Sequence, residues 1–122
     1  MKNRTLQQSF ANAFVGLRDS IRSERNFRIH LIAIILVILA GLLLRVDSLR
    51  WALLTLASGA VLATELLNTA LERLVDMVTQ EHCEPARQVK DMAAAAVLVA
   101  TVFAVLCGVA VFIGPLLAWL DI

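Results

Sequence analysis

Three apolar stretches of near-membrane length leave this chain little choice of fold. Residues 31–44 carry no polar side chain, a second stretch runs from Trp51 to Val75, and a third from Lys90 and Asp91 to Ile113. The first run alone is short, but counted over 27–49 it covers ~33 Å, enough for a ~30 Å hydrocarbon core if flanking arginines snorkel. Hydrophobic residues make up 60% of the chain and charged residues 17%. A soluble domain averages about 45–50% and 25%, so this excess, with a mean hydropathy of +0.81, belongs in a bilayer. The expectation is one all-α membrane domain over 1–122, with transmembrane helices at about 27–49, 51–75 and 91–113.

Ahead of the first span, apolar residues recur at Leu6, Phe10, Ala13, Phe14, Leu17 and Ile21. That spacing predicts an amphipathic surface helix over 6–25, lying in the membrane interface with its phenylalanines down. The alternative is a helix packed on protein. Residues 45–48 form the turn after the first span. Trp51 and Trp119 read as interfacial belt residues. A polar loop follows over 79–89, with Pro85 to break the helix, and Gly114-Pro115 ends or kinks the third span. Ala96, Ala100, Ala104 and Gly108 form a ridge of small side chains on which a neighbouring helix can pack closely.

Lysine and arginine set the orientation. Lys2, Arg4, Arg18, Arg22, Arg25 and Arg28 precede the first span, Arg73, Arg87 and Lys90 surround the second loop, and only Arg45 and Arg50 lie in the first. The N-terminus and second loop are therefore expected at the cytoplasmic face of the inner membrane, with the C-terminus outside. No secretory signal peptide is apparent. Cys83 and Cys107 read as unpaired thiols, which suits a reducing face. A net charge of +1, with no basic run interleaved with aromatics, gives no reason to expect nucleic acid.

The second stretch is apolar yet carries Glu65, Asn68, Glu72 and Asp76 along one helix side. Such groups are expensive in a membrane and usually functional. Glu65 lies ~21 Å along the axis from Trp51 and Glu72 ~31 Å, which puts Glu65 in lipid near the far boundary and Glu72 at it. Glu24, Asp76, Lys90 and Asp91 gather at the same boundary. Two carboxylates suit Mg²⁺, which takes one or two of them plus substrate phosphates. A lysine suits phosphate charge, and a poorly solvated carboxylate suits a base toward a hydroxyl. These are the parts for phosphoryl transfer from ATP to a lipid alcohol. No glycine-rich phosphate loop accompanies them. The same carboxylates would also serve a non-enzymatic membrane protein, a small transporter subunit or scaffold in which one carries protons.

Residues 65–76 read E-hydrophobic-x-N-[ST]-[SA]-hydrophobic-E-x-x-hydrophobic-D. In this the chain resembles the small bacterial integral-membrane diacylglycerol kinase family, which includes undecaprenol kinases. The resemblance extends to Gly16-Leu17, to Glu24 with Phe27, and to Lys90-Asp91 before an alanine-rich helix start. It implies a homotrimer of three-span subunits with shared active sites, MgATP as donor and a membrane lipid alcohol as acceptor. It also implies that Glu65 is the general base, that Glu24 and Glu72 hold the metal and nucleotide, and that Lys90 and Asp91 meet the nucleotide phosphates. Glu81, His82 and Cys83 align with a nucleotide-contacting loop, Asn68 and Asp76 orient the cluster, and Trp51 and Arg18 join Glu65 at the lipid substrate. Asn12 stands where some members carry an aromatic residue, and Ala93 where many have glycine or alanine. The run 24–30 looks more like the undecaprenol-kinase branch, since other members place a second acidic residue at His30.

Plainer readings stand beside these. His30 reads as an interfacial residue without chemistry, Asp91 as an N-cap of the third span, Lys90 as a snorkelling anchor and Asn68 as a helix–helix hydrogen bond. His82 beside Cys83 is not a zinc site.

Overall fold

The computed structural model describes residues 3–122. Lys2, one of the N-terminal cations used for orientation, lies outside the described residues. The described residues form four helices: α1 (Leu6–Ser23), α2 (Arg25–Leu43), α3 (Ser48–Val78) and α4 (Glu84–Trp119). The last three are long and apolar enough to cross a membrane.

Helix α1 starts on a capping box. The Gln8 backbone N–H donates to Thr5 Oγ1 at 3.1 Å, and the Thr5 N–H donates to Gln8 Oε1 at 3.0 Å. Its apolar face is uncovered: Leu6, Phe10 and Phe14 are 75%, 61% and 68% exposed, so packing on the rest of this chain does not account for them. The helix ends at Ser23, earlier than expected, because Glu24 is extended. That single residue separates α1 from α2. Arg28 closes the corner by donating from Nη1 to the carbonyls of Ile21 at 3.0 Å and Arg22 at 2.9 Å, which satisfies acceptors freed at the end of α1.

Helix α2 stops at Leu43, six residues before the expected end. The reason is a Schellman turn. Arg45 takes φ 52°, the Val46 N–H reaches the Gly41 carbonyl at 3.2 Å, and the Arg45 N–H reaches that of Leu42 at 3.3 Å. Asp47 then caps α3 by accepting from the Arg50 N–H at 2.9 Å. The first turn of α3 brings Trp51 onto α2. A Cβ on Gly41 would lie 2.6 Å from the indole, so only glycine permits this approach.

The most extensive contact is between α3 and α4. On α3, Leu54, Val61, Glu65 and Thr69 are buried. On α4 the packed residues are Ala93, Val97, Ala100, Ala104, Gly108 and Val111, while Ala96 is exposed. The every-fourth-residue ridge fails at Ala96 because four residues turn a helix by 400°, so such a row drifts ~40° per step off the contact face.

Both prolines lie within α4, and Pro85 acts differently from expectation. Pro85 lies in the first turn of α4 and starts that helix instead of breaking one, since the missing N–H has no intrahelical partner there. Helix α4 therefore begins at Glu84, with Cys83 and not Asp91 at its N-cap. Pro115 does not end α4, which continues to Trp119. Proline removes the N–H that the Val111 carbonyl would accept. Arg50 replaces it, donating from Nε to that carbonyl at 3.2 Å, while Arg50 Nη1 pairs with Asp47 Oδ2 at 2.6 Å.

Candidate active site

Helix α3 presents its polar residues where three other segments meet it. Glu65 is 3% exposed, deep for a carboxylate. Its Oε2 lies 3.5 Å from His30 Nε2 on α2. Glu72 and Glu24 both lie near enough to act on it with their negative charge. One turn along α3, Asn68 Nδ2 approaches Glu72 Oε1 at 3.5 Å, too long for a strong hydrogen bond. Asn68 Oδ1 is buried without a hydrogen-bond partner among the described residues. An orphaned buried carbonyl oxygen is costly, and such an atom is free to meet a donor or a cation.

Glu24 is held at the α1–α2 corner by Arg73 of α3. The Arg73 Nη2 donates to Glu24 Oε1 at 3.1 Å and to Ser23 Oγ at 2.9 Å. This tie brings a residue from the chain's first quarter onto the Glu65–Glu72 face.

Beyond Glu72, the end of α3 and the start of α4 enclose a polar cleft of ≈ 500 Å³. Asp76, Glu81, His82, Cys83, Arg87, Lys90 and Asp91 line it. Lys90 Nζ donates to Asp76 Oδ1 at 2.7 Å and also feels the charge of Glu72, which joins cleft and carboxylates electrostatically. Arg87 pairs with Glu84 and Asp91 on its own helix, at the i, i+3 and i, i+4 spacings that face each other.

The structure thus groups Glu24, Glu65, Asn68 and Glu72 on one side, and Asp76, Glu81, His82, Cys83, Lys90 and Asp91 around the adjoining cleft. It does not bring Trp51 to Glu65. That ring packs on Gly41 at the opposite end of α3, ~21 Å away by helix rise, so Trp51 cannot share a head group with the base. Arg18 stays on the exposed side of α1, 3.9 Å from Asp19. Two residues escaped the sequence reading. Arg73 was counted only as an orienting charge. His30 was read as interfacial, although it follows Phe27 by three residues and so shares the face that Phe27, 1% exposed, buries.

Among the described residues no three His, Cys, Asp or Glu converge as a metal cage. A cation bound through two carboxylates and substrate phosphates needs no such cage, and the oxygens of Glu24, Glu72 and Asn68 are the donor type magnesium prefers.

Known proteins resemble this chain over most of its length. Residues 11–112 match the sequence model for prokaryotic diacylglycerol kinase. The chain is 37% identical over 109 residues to the undecaprenol kinase of Bacillus subtilis, covering 89% of each protein. It is 43% identical over 111 residues to a diacylglycerol kinase of Synechocystis, covering 90% of this chain and 63% of that protein. To the diacylglycerol kinase of Escherichia coli K12 it is 36% identical over 91 residues, 75% of each. With that family match over most of its length, and with three membrane-length helices among the described residues, of which α3 carries the motif over 65–76, this chain belongs to the prokaryotic diacylglycerol kinase family.

Proposed function

We propose that this membrane protein transfers the γ-phosphoryl group of ATP to the hydroxyl of a membrane lipid alcohol, with undecaprenol favoured over diacylglycerol. The observation that carries the reading is a buried Glu65 carboxylate within reach of the charges of Glu24 and Glu72, beside a polar cleft. Glu65 takes the proton from the lipid hydroxyl. Glu24 and Glu72 hold the metal, and the chemistry supplied by a bound Mg²⁺ is neutralisation of phosphate charge. Lys90 and Asp91 meet the nucleotide phosphates, with Glu81, His82 and Cys83 along the wall of the nucleotide site. Asn68 and Asp76 orient these groups, and Arg18 meets the lipid head group from α1.

The whole chain, 1–122, acts as one catalytic unit. Three copies assemble, and α1 lies in the membrane interface. The N-terminus and the α3–α4 loop face the cytoplasm across the inner membrane, with the C-terminus outside. What supports this orientation is the excess of lysine and arginine on one side.

The test is radiolabelled phosphate transfer in mixed micelles, comparing undecaprenol with diacylglycerol at matched mole fractions. Glu65→Gln is expected to lower kcat by about 10²–10⁴-fold, the usual worth of a general base, and to leave the oligomer assembled. Undiminished turnover in a pure, folded Glu65→Gln preparation removes the base assignment. A carrier of protons, by contrast, would show no phosphate transfer in the wild-type chain.

A further inference from the structure

One buried contact is left over by that reading. His30 Nε2 lies 3.5 Å from Glu65 Oε2, with side-chain exposures of 20% and 4%. This is ion-pairing range for a protonated ring, and a small rotamer adjustment from a hydrogen bond. The histidine is fixed from below. Phe27, one turn earlier on α2, is buried and sets the helix face. His30 also lines one end of an apolar cleft of ≈ 210 Å³ between α2, α3 and α4.

We propose that His30 is a proton relay for the base: its Nε2, facing Glu65 Oε2, takes over the proton that Glu65 removes from the acceptor alcohol. The proposal rests on the phosphotransfer reading above. In the forward step the alcohol O–H bond breaks and its proton goes to Glu65. The alcohol oxygen bonds to the γ-phosphorus while the bond from that phosphorus to the β,γ-bridging oxygen breaks, releasing ADP. The proton then passes from Glu65 to the lone pair of a neutral His30 ring, which becomes imidazolium and later yields it to water. Glu65 is nearly sealed from solvent, so a captured proton needs a neighbouring acceptor to leave.

The surroundings agree with that role. Glu24 from the α1–α2 corner and Glu72 from α3 act on Glu65 with like charge. The α4 residues lining the cleft, Thr101 among them, are uncharged. Arg28, two residues before His30, is turned to the Ile21 and Arg22 carbonyls of α1. His30 is the group beside Glu65 able to accept a proton and become a cation.

The experiment measures kcat and KM against pH in mixed micelles for the wild type, His30→Gln and His30→Ala. Glutamine keeps a donor of similar reach but cannot become cationic. For His30→Gln, kcat is expected to fall at least about tenfold, with KM for ATP changed less than about twofold. Wild-type kcat should decline on acidification, and His30→Gln, in which Glu65 remains as the one group of the pair to protonate, should show that decline at a shifted pH. Added imidazole should restore kcat to His30→Ala. A wild-type pH profile in His30→Gln overturns the proposal, as does a folded His30→Ala chain that imidazole does not rescue. Should both variants misfold, a wild-type kcat that is flat on the acid side overturns it without them. A wild-type chain that phosphorylates no alcohol at all removes the underlying reading as well, and so is told apart from a failure of His30 alone.

Discussion

Gly41 is a residue whose missing methyl group decides a helix contact. An added Cβ would come within 2.6 Å of the Trp51 ring, and the ring's own position is set by the first turn of α3. Gly41→Ala is therefore expected to destabilise the fold by about 1–3 kcal/mol, as overpacking does. Reversible unfolding in micelles measures this, and Trp51→Leu in the same chain should return most of the loss. Asp47 acts at the other side of that turn. The Arg50 backbone N–H, and then its guanidinium, hold the Asp47 carboxyl below the usual carboxylate range. A lowered folded value means that its contribution is complete above the unfolded pKa of about 3.9 and is lost as pH falls through the folded value. Helix content followed during acid titration should show an acid-side loss in the wild type that is smaller in Asp47→Asn. An equal loss in both would remove Asp47 from the account.

Helix α4 is a continuous element only because another element completes it. Pro115 cannot donate to Val111, and the Arg50 guanidinium does so from α3. This coupling can be measured in a double-mutant cycle. Arg50→Gln should destabilise the native chain by about 1–2 kcal/mol, since it leaves a buried acceptor unpaired. In a Pro115→Ala background the backbone N–H returns, and the same substitution should cost clearly less, with a coupling of about 0.5–1.5 kcal/mol. Additive effects would mean that the Arg50–Val111 contact contributes nothing to holding α4. The corner between α1 and α2 works similarly. One extended residue, Glu24, both ends a helix and supplies a carboxylate, and Arg28 and Arg73 hold its two sides.

At the scale of the molecule, apolar side chains point outward from all three long helices, among them Ile32, Leu36, Leu56, Leu98 and Phe103. Lipid or further copies of the chain must cover them. The carboxylates and lysine of the candidate site, in contrast, collect at one end of the bundle, where the α1–α2 corner meets the end of α3 and the start of α4. That arrangement requires Glu24 and Lys90 to share one side of the membrane and Asp47 to occupy the other. With Cys83 and Cys107 replaced by serine, cysteines introduced as Glu24→Cys and Lys90→Cys should react with an impermeant maleimide in inside-out vesicles. Asp47→Cys should react in right-side-out cells. Labelling of positions 24 and 90 from opposite sides would end the proposed site.

The sequence by itself determined the membrane-length helices, the amphipathic first helix and the polar face of α3, because these follow from local periodicity and from the solvation of individual side chains. The motif over 65–76 made the family legible, and with it the carboxylates and lysine of the candidate site. Only the tertiary structure decided which partner each polar group meets. Glu24 is tied to Arg73 from 49 residues away, Arg50 completes α4 from 61 residues away, and His30 faces Glu65 from another helix. Helix ends were misplaced for the same reason. The stop at Leu43 depends on a left-handed Arg45, and passage through Pro115 depends on a borrowed donor, neither of which a local pattern records.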